Sequence, residues 1–429
     1  MQTHFTDTQL EDPQLREADS ILRKCVHCGF CTATCPTFVI TGDERDSPRG
    51  RIWMLREALE SPETVSANTG YHIDRCLGCL SCTTTCPSGV DYPHLLDIGR
   101  EKLDKLVPRP FADKMMRRML GIIIPYAGRF RMMIALARIG RLFRWAMPAA
   151  MRAALDKIPA ELKPFDRVGG QNAVFSPDQK PVKRVALLAG CAQRALDPEI
   201  NASTIRVLNR LGVEVVVRSE AHCCGALAHH VGETDRAHQT VRAAVLAWYD
   251  EMKSGGLDAI VVNASGCGTM AKDYGHMMKD DAELAGIAKA VSDKCVDVSE
   301  LLDHLDVESI LQPAPAEGRG KIAYHSACSL QHGQKIHDLP LRLLRQAGFD
   351  VVQPLNGHLC CGSAGVYNIL QPEMADELKA RKLDSLDKTG AQFVAAGNIG
   401  CITQLNREDL PVRHTIQFID WATGGPNPR

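Results

Sequence analysis

The chain has 429 residues, 45% apolar and 24% charged, which is too long for one ordinary hydrophobic core and too apolar for disorder. With 50 Lys and Arg against 51 Asp and Glu the formal charge is −1, so no global field favours nucleic acid, and no nucleic-acid partner is expected. Seventeen cysteines are many for a reducing compartment, where clustered thiols hold metal more often than they form disulfides.

The chain opens on acidic and polar residues (Asp7, Glu11, Asp12, Glu17, Asp19) with no basic start before an apolar run. A secretory signal is therefore not expected, and a cytoplasmic location is. Next comes Cys25-Val-His-Cys28-Gly-Phe-Cys31-Thr-Ala-Thr-Cys35-Pro36, then a helix-like stretch from Arg51 to Leu59, then Cys76-Leu-Gly-Cys79-Leu-Ser-Cys82-Thr-Thr-Thr-Cys86-Pro87. Every cysteine of the first run recurs 51 positions later. In a C-x2-C-x2-C-x3-C-P run, three thiolates wrap one iron–sulfur cluster while the fourth closes the neighbouring one. Applied here, Cys25, Cys28, Cys31 and Cys86 would hold one [4Fe-4S] cluster, and Cys76, Cys79, Cys82 and Cys35 a second. Zinc sites also use C-x2-C pairs, but they need neither a third cysteine two residues on nor a fourth before proline, twice. The gap of about forty residues between the runs favours a mainly helical two-cluster module over a compact βαβ ferredoxin. Gly29 and Gly78 are expected where backbone passes close to a cluster. His27 reads as a supporting or surface residue; Arg45, Arg49 and Arg51 could between them neutralise the anionic clusters, while any single one reads as part of a solvated face.

From Arg109 to Leu155 the chain is helix-prone and basic, with ten Lys or Arg against Asp113 alone, cut into short helices by Pro110, Pro125 and Pro148. Its longest apolar run, Leu120 to Leu136, is broken by Pro125, Arg129 and Arg131 and falls short of the roughly 20 residues a spanning helix needs. No transmembrane helix is expected. Arg138, Arg141 and Arg144 are the cations expected to meet an anionic membrane surface, although the same face could dock a partner subunit. Lys163 to Pro181 reads as a linker.

The remainder is a duplication. Cys191, Cys223 and Cys224 recur 137 positions later as Cys328, Cys360 and Cys361, and Cys267 is answered by Cys401 at 134. Around each set the pattern alternates. In the first half Arg184 to Ala189 reads as a strand, Glu199 to Leu211 as a helix, and Val213 to Val217 and Ala259 to Val262 as strands. In the second half Ile322 to His325, Phe349 to Val352 and Phe393 to Ala396 read as strands, with a helix over Leu341 to Gln346. Such alternation predicts α/β units on a mostly parallel sheet, with the cysteines on loops after strand ends. The expected fold class is thus a mainly helical two-cluster ferredoxin-like domain (1–107), a basic helical segment and linker (108–180), and two duplicated α/β cysteine-rich domains (181–315 and 316–429). Cys295 has no counterpart and is expected to be only a small packed or surface residue. No G-x-G-x-x-G opening a helix, P-loop or catalytic triad motif is present, so no catalytic residue is assigned.

The tandem Cys…Cys-Cys-Gly motifs resemble the cysteine-rich domains of heterodisulfide reductase subunits, anaerobic glycerol-3-phosphate dehydrogenase, lactate-utilisation proteins and glycolate oxidase. In the first of these a C-x2-C pair follows; here Ala264 and Asn398 stand where its first cysteine would be, leaving four cysteines per half. That leaves two readings of Cys191, Cys223, Cys224, Cys267, Cys328, Cys360, Cys361 and Cys401: an additional cluster in the C-terminal half, or loops shaped for partner subunits. The run from Glu17 to Pro36, with Gly42-Asp43-Glu44, Pro48-Arg-Gly-Arg-Ile52 and Cys86-Pro-Ser-Gly-Val-Asp-Tyr92, resembles the iron–sulfur subunits of bacterial glycolate oxidase over nearly the whole chain. The resemblance implies electron transfer from a separate FAD-containing subunit, which oxidises glycolate to glyoxylate, toward a membrane quinone from the inner face of the cytoplasmic membrane. The rivals are a heterodisulfide-reductase-like catalytic subunit and the equivalent subunit of a lactate or glycerol-3-phosphate dehydrogenase.

Overall fold

A computed structural model describes residues 1–146, 155, 164, 168–314 and 319–428, the side chains of Arg144 and Ala146 excepted. Pro148, the Arg144 side chain, residues 163 and 165–167 of the expected linker and the expected boundary at 315/316 lie outside the described residues.

Residues 1–107 fold as helices around one small core. Helix α1 (Pro13–Lys24) starts where Asp12 accepts from the Gln14 N–H and Pro13 presets the first turn. Three very short helices belong to the cysteine runs: α2 (Phe30–Ala33) inside the first, α3 (Pro36–Thr41) starting on its proline, and α6 (Ser81–Thr85) inside the second. Between them lie α4 (Pro48–Glu60), capped by the Ser47 hydroxyl, and α5 (Ala67–Asp74). Helix α7 (Tyr92–Leu106) closes the unit. Leu22 from α1, Ile52 and Leu55 from α4, and Leu95 and Leu96 from α7 meet in its interior. Each such side chain contributes about 1.5–3 kcal/mol when taken fully from water. The mainly helical module expected from the long gap is the observed one.

The basic stretch forms α8 (Phe111–Ile123) and α9 (Ala127–Gly140), separated at Pro125 as expected, followed by a 3-10 segment over Arg141–Ala146. The inner side of this hairpin, with Leu120 and Ile124, packs on Val231 and Val366, one from each half of the duplication.

Each half carries four parallel strands. In the first, β2 (Lys183–Leu188) lies between β3 (Val213–Val217) and β4 (Ala259–Val262), and β5 (Cys295–Asp297) follows β4. In the second, β6 (Lys321–His325) lies between β7 (Asp350–Val352) and β8 (Phe393–Ala396), with β9 (Val412–His414) beyond. The chain leaves each central strand toward one side and returns on the other, which creates a crevice at the strands' carboxyl ends. Two features differ from expectation. The linker contributes β1 (Ala173–Phe175), antiparallel to β3 on the sheet edge, because a three-residue strand fits among turn-forming residues that read as loop. The short strand β5 was also not foreseen; it begins at Cys295, which is buried in the core as the small packed residue expected, its thiol 3.3 Å from the Val291 carbonyl.

The two sheets share one core: Val185, Leu187 and Val215 pack in the same apolar cluster as Tyr324, Leu344 and Phe418. The Ser265 N–H donates to the Gly397 carbonyl at 3.0 Å, and the Ser265 and Ser329 hydroxyls lie 2.7 Å apart. Arg210 donates to the fully buried Asp420 at 2.6 Å, tying a first-half helix to the last helix of the chain.

Candidate metal centres

The two N-terminal cysteine runs share a backbone trajectory. His27 and Gly29 have φ of 56° and 84°; their counterparts 51 positions on, Gly78 and Leu80, have 61° and 63°. The same pair of left-handed steps recurs with the glycine exchanged between positions, and each run tolerates one non-glycine there at a cost. Gly29 and Gly78 both sit in left-handed backbone, which favours glycine. A Cβ at Gly29 would also lie 2.7 Å from Nη1 of Arg49, whereas one at Gly78 would meet no protein atom within 4 Å. His27 stands edge-on to Trp53, centroids 5.8 Å apart, and burial lowers its pKa.

These turns bring Cys25, Cys28, Cys31 and Cys86 around one surface cleft, whose wall also includes Cys82 and Arg49. Cys28 is exposed at its mouth and Cys25 buried at its floor. Burial raises the Cys31 thiol to about 11. The other four cysteines form an adjoining, deeper group. Burial, with Cys76, Cys35 and Cys31 nearby, pushes Cys82 well up, and burial, with Cys360, Cys35 and Cys82 nearby, does the same to Cys79. Thiols so placed stay protonated in the bare protein and ionise when a metal cation offsets the charge. The donor set, four soft sulfurs per group, fits iron–sulfur chemistry.

Arg51 departs from the expected solvated face. It is 1% exposed, donating to the His72 carbonyl at 2.8 Å, to Thr37 Oγ1 at 3.0 Å and to Asp46 Oδ1 at 3.3 Å, with Cys35 Sγ at 4.0 Å. Burial opposes its charge, but Cys76, Tyr92, Cys35 and Asp46 hold its pKa above the ordinary arginine value. Burial would raise Cys76, yet Arg51 and Arg100 bring it below the usual thiol value. A permanent cation therefore sits inside the module, beside the deeper thiols. Arg45 is exposed and pairs with Asp43, matching the expectation, while Arg49 is half-buried against Glu44.

In the duplicated part, each cysteine set converges at the carboxyl end of its sheet. Cys191 and Cys223 have sulfurs 3.7 Å apart, and Cys224 neighbours both Cys223 and Cys267. Cys328 and Cys360 lie 3.8 Å apart, Cys361 and Cys401 3.4 Å, and Cys360 adjoins Cys361. Gly225 and Gly362, directly after the cysteine pairs, have φ of 83° and 86°, which turns both loops back toward the sheet.

Two arrangements carry no signal in the sequence reading. Cys79 of the deeper N-terminal group lies against Cys328 and Cys360 of the second half, in an apolar pocket shared with Leu77 and Tyr367. The contact is fixed by Thr84 Oγ1 at 2.8 Å from His332 Nδ1 and by Tyr367, whose hydroxyl donates to the Arg75 carbonyl at 2.9 Å. Beside the second-half thiols stand the buried His325 and Lys382, absent from every motif that the spacing singled out.

A helical module with two interleaved four-thiol groups, joined to two parallel-sheet domains each with a four-thiol loop cluster, defines an iron–sulfur protein. Family models agree: residues 21–90 match the 4Fe-4S dicluster domain, and residues 185–272 and 322–406 match the cysteine-rich domain. The chain is 40% identical to the glycolate oxidase iron–sulfur subunit of Escherichia coli K12, over 98% of this chain and 99% of that one. It is 29% identical to the probable glycolate oxidase iron–sulfur subunit of Bacillus subtilis 168, over 90% and 88%. It is 26% identical to lactate utilization protein A of Anoxybacillus flavithermus, over 53% of this chain and 94% of that one. The chain belongs to the family of glycolate oxidase iron–sulfur subunits.

Proposed function

We propose that this chain is the electron-transfer subunit of a glycolate-oxidising complex. It would take electrons from a separate FAD-containing subunit that converts glycolate to glyoxylate, and deliver them toward a membrane quinone. In this reading Cys25, Cys28, Cys31 and Cys86 hold one [4Fe-4S] group, and Cys76, Cys79, Cys82 and Cys35 hold the other. Bound there, the two groups supply one-electron redox couples in series. The observation that carries the reading is the adjacency of the two four-thiol groups, one at the surface and one inside. Arg51 would stabilise the anionic thiolates around the inner group, and the apolar wall of Leu77 and Tyr367 would keep water from it. The glycolate assignment follows from the relatives described above.

Purification of the tagged chain from its native cell, followed by assay of the co-purified flavoprotein, tests the proposal. Glycolate, with a quinone analogue as acceptor, should be turned over faster than D-lactate or glycerol 3-phosphate. Cys35→Ser should lose one of two cubane electron paramagnetic resonance signals and most quinone-linked turnover. Preference for another hydroxy substrate would move the chain to a sister complex, and turnover of a disulfide without flavoprotein would favour the heterodisulfide-reductase-like rival.

We also propose that the α8–α9 hairpin is the membrane-facing surface. Phe111, Met115 and Met119 recur every four residues on α8 and are exposed, as are Met132, Leu136 and Ile139 on α9 and Trp145 beyond it, which is 82% exposed. Arg109 and Arg117 are spent on ion pairs with Asp74 and Asp113, so the contact would be driven by apolar insertion more than the raw charge count suggests. No helix among the described residues is long and apolar enough to cross a membrane. In flotation with anionic vesicles, Leu136→Glu with Ile139→Glu should cut binding about tenfold or more, whereas neutralising Arg138 and Arg141 should weaken it less. Equal flotation by all versions counts against the assignment.

A further inference from the structure

The two halves of the duplication place their cysteines alike but surround them differently. In the first half, Leu188 ends β2 and Val245 lies on the helix Thr234–Ser254, both fully buried and apolar. In the second half, the residues 137 positions on are His325, ending β6, and Lys382, on the helix Pro372–Asp387. The same fold therefore carries an imidazole and an ammonium where its copy carries two hydrocarbons.

His325 is 1% exposed, and neither ring nitrogen has a hydrogen-bond partner among the described residues. Leaving both nitrogens of a buried imidazole unpaired is costly, and such groups in a stable core ordinarily answer to something. One ring nitrogen of His325 and the sulfurs of Cys361 and Cys401 all lie within 4.8 Å of one another. The Cys361 and Cys401 sulfurs are 3.4 Å apart, and those of Cys328 and Cys360 3.8 Å. Two thiolates bound at about 2.3 Å to one tetrahedral ion sit roughly 3.8 Å apart. Lys382 is 3% exposed and donates to the Asn356 and Gly357 carbonyls at 3.1 and 3.4 Å. The groups facing its charge are the sulfurs of Cys361, Cys360, Cys401 and Cys328. A buried ammonium among thiols is stabilised when those thiols are ionised, which is their state on a metal.

We propose that the second half holds a transition-metal centre of mixed thiolate and imidazole ligation. His325 is a ligand with Cys361 and Cys401, the Cys328 and Cys360 thiols adjoin them as the source of the remaining ligation, and Lys382 is the counter-charge. Thiolate with imidazole suits iron as well as zinc, so the metal is either iron with sulfide or zinc, and metal analysis reports which. The first half, with Leu188 and Val245, lacks both the imidazole and the counter-charge. This inference rests on reading the chain as an iron–sulfur protein, but it concerns a site separate from the eight N-terminal cysteines.

The test uses the full chain, purified anaerobically, with iron, zinc and acid-labile sulfide measured per chain for wild type, His325→Leu and His325→Gln. Leucine is the first half's own residue at this place, and glutamine keeps polarity without an imidazole. The expected result is metal beyond the about eight irons of two cubanes in wild type, and its loss by at least half in both variants, with both cubane signals unchanged. X-ray absorption at the edge of the extra metal should show a nitrogen scatterer in wild type. Metal content and absorption spectra that are identical in wild type and both variants would overturn the proposal, as would no extra metal in wild type. Absence of the two cubane signals from wild type would instead sink the N-terminal relay, leaving the His325 result readable by itself.

Discussion

Arg51 shows how much one side chain can decide. Its neighbour Asp46 is 0% exposed and also receives Arg75 at 2.6 Å and His72 Nδ1 at 2.9 Å. Replacing Arg51 by Met takes one cation from this buried carboxylate and from Cys35 and Cys76. A broken buried pair of this kind costs about 3–5 kcal/mol, and Arg51→Met should lower the denaturant midpoint of the metal-loaded chain accordingly. Arg51→Lys restores the charge but not the fork that spans Asp46, Thr37 and the His72 carbonyl, so it should recover only part of the loss. In the sequence Arg51 is one of three arginines within seven residues. Nothing local separates it from the exposed Arg45, because the difference arises from the helix face it occupies once α4 packs. The cysteines, in contrast, were legible one by one, since their spacing encodes the loop that gathers them.

At the scale of elements, the N-terminus of α7 meets the loop after the first-half helix Ser265–Lys272. His94 lies 2.7 Å from Asp91 through Nδ1 and 3.2 Å from Asp273 through Nε2, and it stacks on His276 with centroids 3.5 Å apart. His276 lies 2.7 Å from Glu17 of α1, and Lys279 pairs with the same carboxylate. Burial disfavours a charged ring at His94, but Asp273 and Asp91 outweigh it and raise the pKa to about 10. A folded-state value above the unfolded one, about 6.5, means that the stabilisation is complete below the unfolded value. It is lost as pH rises from there through about 10. Wild type should therefore lose stability relative to His94→Gln across that window, in thermal melts at matched ionic strength. A pH-independent difference between the two would show that the imidazolium is not what ties α7 to the first half. The strands β4 and β8 were readable to the residue, because their unbroken apolar runs mark buried parallel strands, and β3 because four valines surround its single polar residue, Glu214. The short edge strands β1, β5 and β9 were not, since three residues carry no period.

At the scale of the molecule, the N-terminal module leans on the second half of the duplication where Cys79 meets Cys328 and Cys360. Such a junction, whose hydrogen bonds join residues 248 and 292 positions apart, leaves no trace in spacing or composition; only packing produces it. Tyr367→Phe removes the hydroxyl bond to the Arg75 carbonyl. It should cost about 0.5–1.5 kcal/mol, and amide exchange should rise at both Arg75 and Tyr367 if this bond holds the junction shut. The same architecture constrains how the protein comes into being. Cys28 lies at the rim of an outward-facing cleft, while Cys35 and Cys76 lie buried beneath. A carrier bringing iron and sulfide to the folded chain would meet that rim first, and a subunit seated over it would hinder delivery to the thiols inside. Maturation must then precede docking, and cells starved of iron should accumulate an orphaned chain instead of an empty complex.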